Sequence, residues 1–147
     1  MSLKERLMDD LKQAMKEKDK LRKSVITLVR SAIKQYEVDH RTELDDEGII
    51  EIMAKQVKQK RDAIEEFAKG GREDLVDEAK AEIEVLIQYL PQQLTEDEIT
   101  QIVSQTINEV GANSMKDMGK LMAALMPKLK GRADGKVVNK IVRQFLQ

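Results

Sequence analysis

Cysteine and tryptophan are absent from this chain, proline occurs only at positions 91 and 127, and histidine occurs once. Without a thiol there is no disulfide, no thiolate nucleophile and no cysteine-ligated zinc or iron–sulfur centre. The lone His40 has Asp39 and Glu43 beside it but no second histidine at ligand spacing, so it reads as a solvated loop residue and no metal site is expected. Aromatic residues make up 3% of the chain, and no stretch sustains the apolar–polar alternation of a strand. With β-branched and aromatic runs missing, the dominant period is helical throughout. No apolar run approaches the roughly 20 residues that cross a bilayer. The opening "MSLKERLMDD" lacks the basic-then-apolar pattern of a secretory signal. The expectation is a cytoplasmic protein with no membrane association.

What the chain does have is charge. Lysine and arginine number 26 against 27 acidic residues, beside a hydrophobic content of 41%. That much apolar surface is enough to build a core and argues against disorder. The balance conceals a segregation. Between Arg72 and Val110 there are ten acidic and two basic residues, whereas from Lys116 to the end there are eight basic and two acidic. Such asymmetry marks either an anionic partner or self-complementary packing.

The periodicity predicts an all-α protein. Ser2 caps a first helix with Glu5 completing a capping box, and Leu3, Leu7, Leu11 and Met15 face inward. Asp19 caps a second, with Leu21, Val25, Leu28, Val29, Ala32, Ile33 and Tyr36 as its buried stripe. After the loop "VDHRTELDDEG", capped by Asp45 or Asp46, a third helix runs over about 47–69, with Ile50, Met53, Val57, Ile64 and Phe67 inward, to the Gly70-Gly71 stop. A fourth covers about 73–89 and ends before Pro91. "YLPQQLTEDEI" then starts afresh, Thr95 and Glu98 forming a capping box. Three helices are predicted from there, at about 96–110, 115–130 and 135–146. The domain boundary falls at Pro91 to Leu94, giving an N-terminal helical region over 1–91 and a three-helix subdomain over 92–147.

Few features carry chemistry. "DDEGIIEIM" lacks calcium-loop spacing. "KGGREDL" could collect an anion on amides and Arg72, but reads more simply as one helix stop and the next start. Met118, Met122 and Met126 fall at i, i+4, i+8 with Leu121, Leu125 and Leu129, a stripe suited to core packing or, where exposed, to a partner. No catalytic residue, metal ligand set or cofactor is assigned. The remaining candidate is the basic end, where Lys120, Lys128, Lys130, Arg132, Lys136, Lys140 and Arg143 surround "KLKGRADGK". Gly131 and Gly135 would make a tight turn, and Asp134 would cap the last helix. A turn that presents Lys130, Arg132 and Lys136 beside helix-start amides suits phosphate contacts. Phe145, the only aromatic in this segment, is expected in the core.

"YLPQQLTEDEI" followed by "DMGKLMAALMPKLKGRADGKVVNKIV" resembles the YqeY family, and the likeness continues upstream in "LRKSVITLVRSAIKQYEVD" and "KQVKQKRDAIEEFAKGGREDLVDEAKAEIEVL". The last three helices are also similar to the tail domain of the B subunit of glutamine-dependent tRNA amidotransferases, through Gly119 to Met122 and the Gly-x-Ala-Asp turn of Gly131 to Asp134. The resemblance implies a longer helical region followed by a tail that contacts tRNA, with amidation carried out elsewhere. It implies a non-catalytic tRNA-binding or tRNA-metabolism accessory protein, with Lys120, Lys128, Lys130, Arg132, Lys136 and Lys140 as phosphate contacts. Its partners would be tRNA and a tRNA synthetase or amidotransferase. Two alternatives stay open: an adaptor that docks a partner enzyme, and an auxiliary component of carbon–nitrogen ligation with glutamine as amide donor.

Overall fold

A computed structural model describes residues 2–147. Seven α-helices, and no strand among the described residues, make the protein all-α: α1 (Leu3–Lys16), α2 (Lys20–His40), α3 (Asp46–Lys69), α4 (Glu73–Ile87), α5 (Glu96–Val110), α6 (Met118–Leu129) and α7 (Gly135–Leu146). The chain forms two compact units that divide between Leu90 and Pro91.

Polar side chains at the helix starts account for most boundaries. Ser2 accepts from the Glu5 amide at 3.2 Å, Asp19 from Arg22 at 3.1 Å and Asp45 from Gly48 at 2.9 Å, each satisfying an amide with no partner inside its helix. Thr95 and Glu98 form the complete reciprocal box, with bonds of 3.2 and 3.0 Å. The α3 stop uses both glycines. Gly71 takes a left-handed φ of 71°, so that Arg72 N–H reaches Phe67 O at 2.9 Å and Gly71 N–H reaches Ala68 O at 3.1 Å. Lys18 closes α1 in the same way without being a glycine, at φ 57°, with Asp19 N–H bonded to Ala14 O at 2.9 Å.

Two expected helices are shorter than the pattern suggested. The fourth ends at Ile87, because Tyr89 and Leu90 bond three residues back, to Leu86 and Ile87, and the last turn tightens. The expected 115–130 helix begins as a short 3-10 turn over Met115–Asp117. There the Asp117 carboxylate reaches back to Asn113 N–H at 2.8 Å, and regular helix starts one residue later.

In the first unit, Leu7, Val25, Ile26, Val29, Ile33, Ile49, Met53, Val57, Ile83, Leu86 and Tyr89 form the core. The α2 stripe is centred on Val25, Ile26, Val29 and Ile33, so Leu28 is 51% exposed and Tyr36 is also exposed, contrary to the periodic reading. Met15 is likewise on the surface, and Ala14 takes the buried place at the end of α1. In the second unit the core is Ile99, Val103, Ala112, Leu121, Leu125, Leu129, Val138, Ile141, Val142 and Leu146. The leucine row of α6, at i, i+4, i+8, faces inward. Met118 and Met122 flank it, while Met126 is 54% exposed, and Phe145, expected in the core, is 42% exposed.

One polar cluster ties the ends of the first unit together. The Tyr89 hydroxyl donates to Asp10 on α1, and Arg22 on α2 lies 3.4 Å from the same carboxylate. The Arg6 guanidinium covers the Tyr89 ring at 4.6 Å and donates to Gln88 O at 3.2 Å. Burial, then the bond to Asp10 and its charge, push the Tyr89 hydroxyl up to about 12 from its ordinary value of 10.0, with Arg22 and Arg6 opposing. The folded state therefore holds this proton more tightly than the unfolded state. The resulting stabilisation is fully present below the unfolded value and is lost as the pH rises through about 12. Spectrophotometric titration should show one tyrosine, absent in Tyr89→Phe, ionising near pH 12, and the loss of stability over that alkaline window should be shallower in the variant.

Candidate nucleic-acid interface

The basic end of the chain is built around a reverse turn between α6 and α7. Lys130 has φ −57° and ψ 124°, Gly131 has φ 71°, and Arg132 N–H bonds back to Leu129 O at 2.9 Å. These are the angles of a type II turn, whose third position requires positive φ and therefore favours glycine. Gly135 behaves differently: it is the first residue of α7 and needs no left-handed angle. Asp134 caps that helix, its carboxylate accepting from Lys136 N–H at 3.0 Å.

The segment before α5 clamps the turn. Leu94 N–H donates to Arg132 O at 2.9 Å. Gln93 Nε2 donates to Gly131 O at 2.7 Å and to Pro91 O at 3.0 Å. Arg132 Nε reaches Gln92 O at 3.4 Å. Two of the turn's carbonyls, Gly131 O and Arg132 O, are thereby occupied.

The six expected phosphate contacts do not form one cluster. Lys128 extends to α5, where its ammonium donates to Thr106 Oγ1 and pairs with Glu109, each at 2.9 Å. Thr106 is fully buried and donates in turn to Ile102 O at 2.7 Å, so Lys128 helps to satisfy an interior hydroxyl. Arg132 is half-buried against the 91–94 segment. Its charge also adds to the Thr95 hydrogen bonds that hold the Glu98 carboxyl below the usual carboxylate range. Lys120 is exposed in the first turn of α6, roughly 14 Å along the helix from the turn at 1.5 Å per residue. Lys130, Lys136 and Lys140 are exposed at the turn and on α7.

Along α7 the cations fall into order. Lys136, Lys140 and Arg143, at i, i+4 and i+7, share one exposed face, with Arg143 Nε donating to Asn139 Oδ1 at 3.1 Å. Val138, Ile141 and Val142 face the core on the other side. Arg143 was not among the expected contacts, although its spacing from Lys136 and Lys140 was visible in the sequence. From Met118 to the end the only acidic residue is Asp134, and its carboxylate is engaged in capping. The result is a cationic helix face beside a basic turn, residue types suited to phosphate contacts.

The other candidates resolve differently. Arg72 forms a two-pronged pair with Asp74 at 3.1 and 3.0 Å, which raises the guanidinium and lowers the carboxyl, so no open anion site forms at the start of α4. His40 ends α2 rather than lying in a loop. Its ring stacks on Tyr36 at 4.0 Å, and Nδ1 donates to the Tyr36 carbonyl at 3.0 Å. Among the described residues no group of three or more histidine or acidic side chains is arranged to hold a metal ion.

The profile of the YqeY-like protein family matches residues 4–146. A protein of Lachancea thermotolerans named "Altered inheritance of mitochondria protein 41, mitochondrial" is 36% identical over 147 residues, covering 95% of this chain and 79% of that protein. The protein of the same name from Pyrenophora tritici-repentis is 30% identical over 144 residues, 96% of this chain and 79% of its own length. The Kluyveromyces lactis protein is 44% identical over 84 residues, 56% of this chain and 45% of that protein. All three carry mitochondrial names. They overturn the cytoplasmic expectation, which rested on the absence of a secretory signal pattern and of a membrane-length apolar run.

Two glycines in this region should respond oppositely to alanine. Gly131→Ala places a Cβ at positive φ and should cost about 1–2 kcal/mol. Gly119, in the first turn of α6 with nothing within 4 Å of an added Cβ, should gain a few tenths to about 1 kcal/mol as alanine. Urea unfolding of the two variants measures both signs.

Proposed function

The chain belongs to the YqeY-like family, and from that kinship and the charge of its last helix we propose that it is a non-catalytic accessory of tRNA metabolism. Its second unit corresponds in this reading to the tail of the tRNA amidotransferase B subunit. The observation that carries the proposal is the cationic face of Lys136, Lys140 and Arg143 on α7, beside Lys130. Structured RNA is recognised largely through its shape and phosphate backbone, and such a face needs no aromatic side chain to bind it. Lys120 would add a contact at the far end of α6. Lys128 and Arg132 contribute long-range charge while serving the fold. Amide transfer has no counterpart in these residues, which offer cations and an N-cap but no activated nucleophile, so an auxiliary part in it would be through tRNA.

A second reading, an adaptor for a partner enzyme, draws on the exposed Met126 and Phe145. It predicts association that depends on those two apolar side chains and is indifferent to the α7 cations.

Fluorescence anisotropy with unfractionated tRNA separates the two. Each phosphate contact should contribute about 0.7–0.9 log units of affinity per log unit of salt. Replacing Lys136, Lys140 and Arg143 together by glutamine should weaken binding at least tenfold and flatten the salt dependence by roughly two log units, with helicity unchanged. Binding that is indifferent to salt, or that survives the triple replacement, contradicts the proposal.

A further inference from the structure

A second cationic surface lies in the first unit. From Lys20 to Tyr36 the chain has five basic residues and no acidic one. On α2, Thr27, Arg30, Ser31 and Lys34 share one face through i, i+3, i+4 and i+7 spacing. They form one wall of a cleft of about 620 Å³ between α1 and α2, within the size range of small-molecule sites.

Three properties define what the cleft would accept. First, the Arg30 and Lys34 side chains have no hydrogen bond or ion pair among the described residues, although Arg30 is half-buried. A partly desolvated guanidinium with all its donors uncommitted is completed by an anion. Second, the floor is aliphatic. Leu7 and Ile33 belong to the core and Met8 remains 38% exposed, while the stems of Lys4, Arg30 and Lys34 extend the apolar surface. Third, one end is occupied by the ion pair of Lys4 with Glu37, at 2.5 Å. Glu37 also accepts from Leu44 N–H at 2.8 Å. The bond from Lys4, then that from Leu44, keep its carboxyl below the usual range, so it stays ionised. A polymeric phosphodiester running through the cleft would meet that carboxylate, and no aromatic ring lines the walls to stack a base. A discrete ligand fits better than a strand.

We propose that the α1–α2 cleft binds a monomeric anionic amphiphile, with a phosphate or carboxylate head held by Arg30 and Lys34 and an aliphatic tail laid along Met8, Leu7 and Ile33. Thr27 and Ser31 stand beside the head position. Thr27 Oγ1 already donates to Lys23 O at 2.7 Å and so offers its lone pairs to a protonated head oxygen, whereas Ser31 keeps a hydroxyl proton to donate. The tail supplies affinity by burial, at about fourfold per methylene if fully covered. The head supplies selection for negative charge.

The test is a backbone amide NMR titration of the full chain, below micelle-forming concentrations, with dodecyl phosphate, laurate, octyl phosphate, inorganic phosphate and the neutral dodecyl maltoside. The expected result is saturable shifts confined to residues 4–8 and 27–37 with dodecyl phosphate or laurate. Octyl phosphate should bind at least tenfold more weakly, and inorganic phosphate and the maltoside should produce no saturable shifts there. Arg30→Gln with Lys34→Gln should weaken the preferred amphiphile at least tenfold while leaving the helical spectrum unchanged. Preference for phosphate over laurate, or the reverse, identifies the head and supports the site in either case. Equal binding of the neutral amphiphile, no dependence on tail length, or no saturable binding overturns the proposal. Association only with vesicles of anionic phospholipid, or cleft shifts produced only by an RNA oligomer, overturns it too.

Discussion

The second unit depends on a small set of bonds between two turns. Leu94 N–H on Arg132 O, and the Gln93 amide on Gly131 O, hold the segment before α5 against the corner between α6 and α7. Buried backbone polar groups must find partners, and here two irregular segments satisfy each other. The docking fixes where α5 starts and where α7 departs. It also fixes which side of α7 meets the core formed by Leu121, Leu125, Val138 and Val142. The opposite side, with Lys136, Lys140 and Arg143, is then held outward as a consequence of packing.

Charge separation in this unit follows the same logic. Acidic residues of α5 that lie near the basic segment are used locally: Glu98 in its capping box and Glu109 in a pair with Lys128. Asp134, the lone carboxylate of the last two helices, is bonded to a backbone amide. Helix α7 itself contains no acidic residue. A positive face so arranged is screened by salt and is therefore available to a polyanion chiefly at moderate ionic strength. The first unit repeats the theme on a smaller scale, where Lys4 takes Glu37 and leaves Arg30 and Lys34 without a partner.

Local chemistry made the helix count, most caps and both glycine stops readable in the sequence, because these depend on neighbouring residues. Asp19, Asp45, Thr95 and Asp134 cap as their positions suggested. Errors arose where tertiary contacts decide. Leu28 and Ile26 both suit a helical stripe, and only the partner helices select Ile26 for the core. The expected α6 stripe joined Met118, Met122 and Met126 with Leu121, Leu125 and Leu129; the leucines are buried, but Met126 is exposed. For the candidate interface, the Gly131 turn and the Asp134 cap were legible. The commitments of Lys128 to Thr106 and of Arg132 to Gln92 were not, since their partners lie 22 and 40 residues away. The cytoplasmic expectation, read from the absence of a secretory signal pattern and of a membrane-length apolar run, is overturned by the mitochondrial names of the relatives.

The central claim is that the outward side of α7 and the adjoining turn hold tRNA by its phosphates. The most direct measurement is a residue-by-residue amide footprint of the full chain with and without tRNA at moderate salt. The account predicts perturbations concentrated at Lys130, Lys136, Asn139, Lys140 and Arg143 that fade together as salt is raised. Perturbations centred on Met126 and Phe145, or none in the second unit at saturating tRNA, would contradict it.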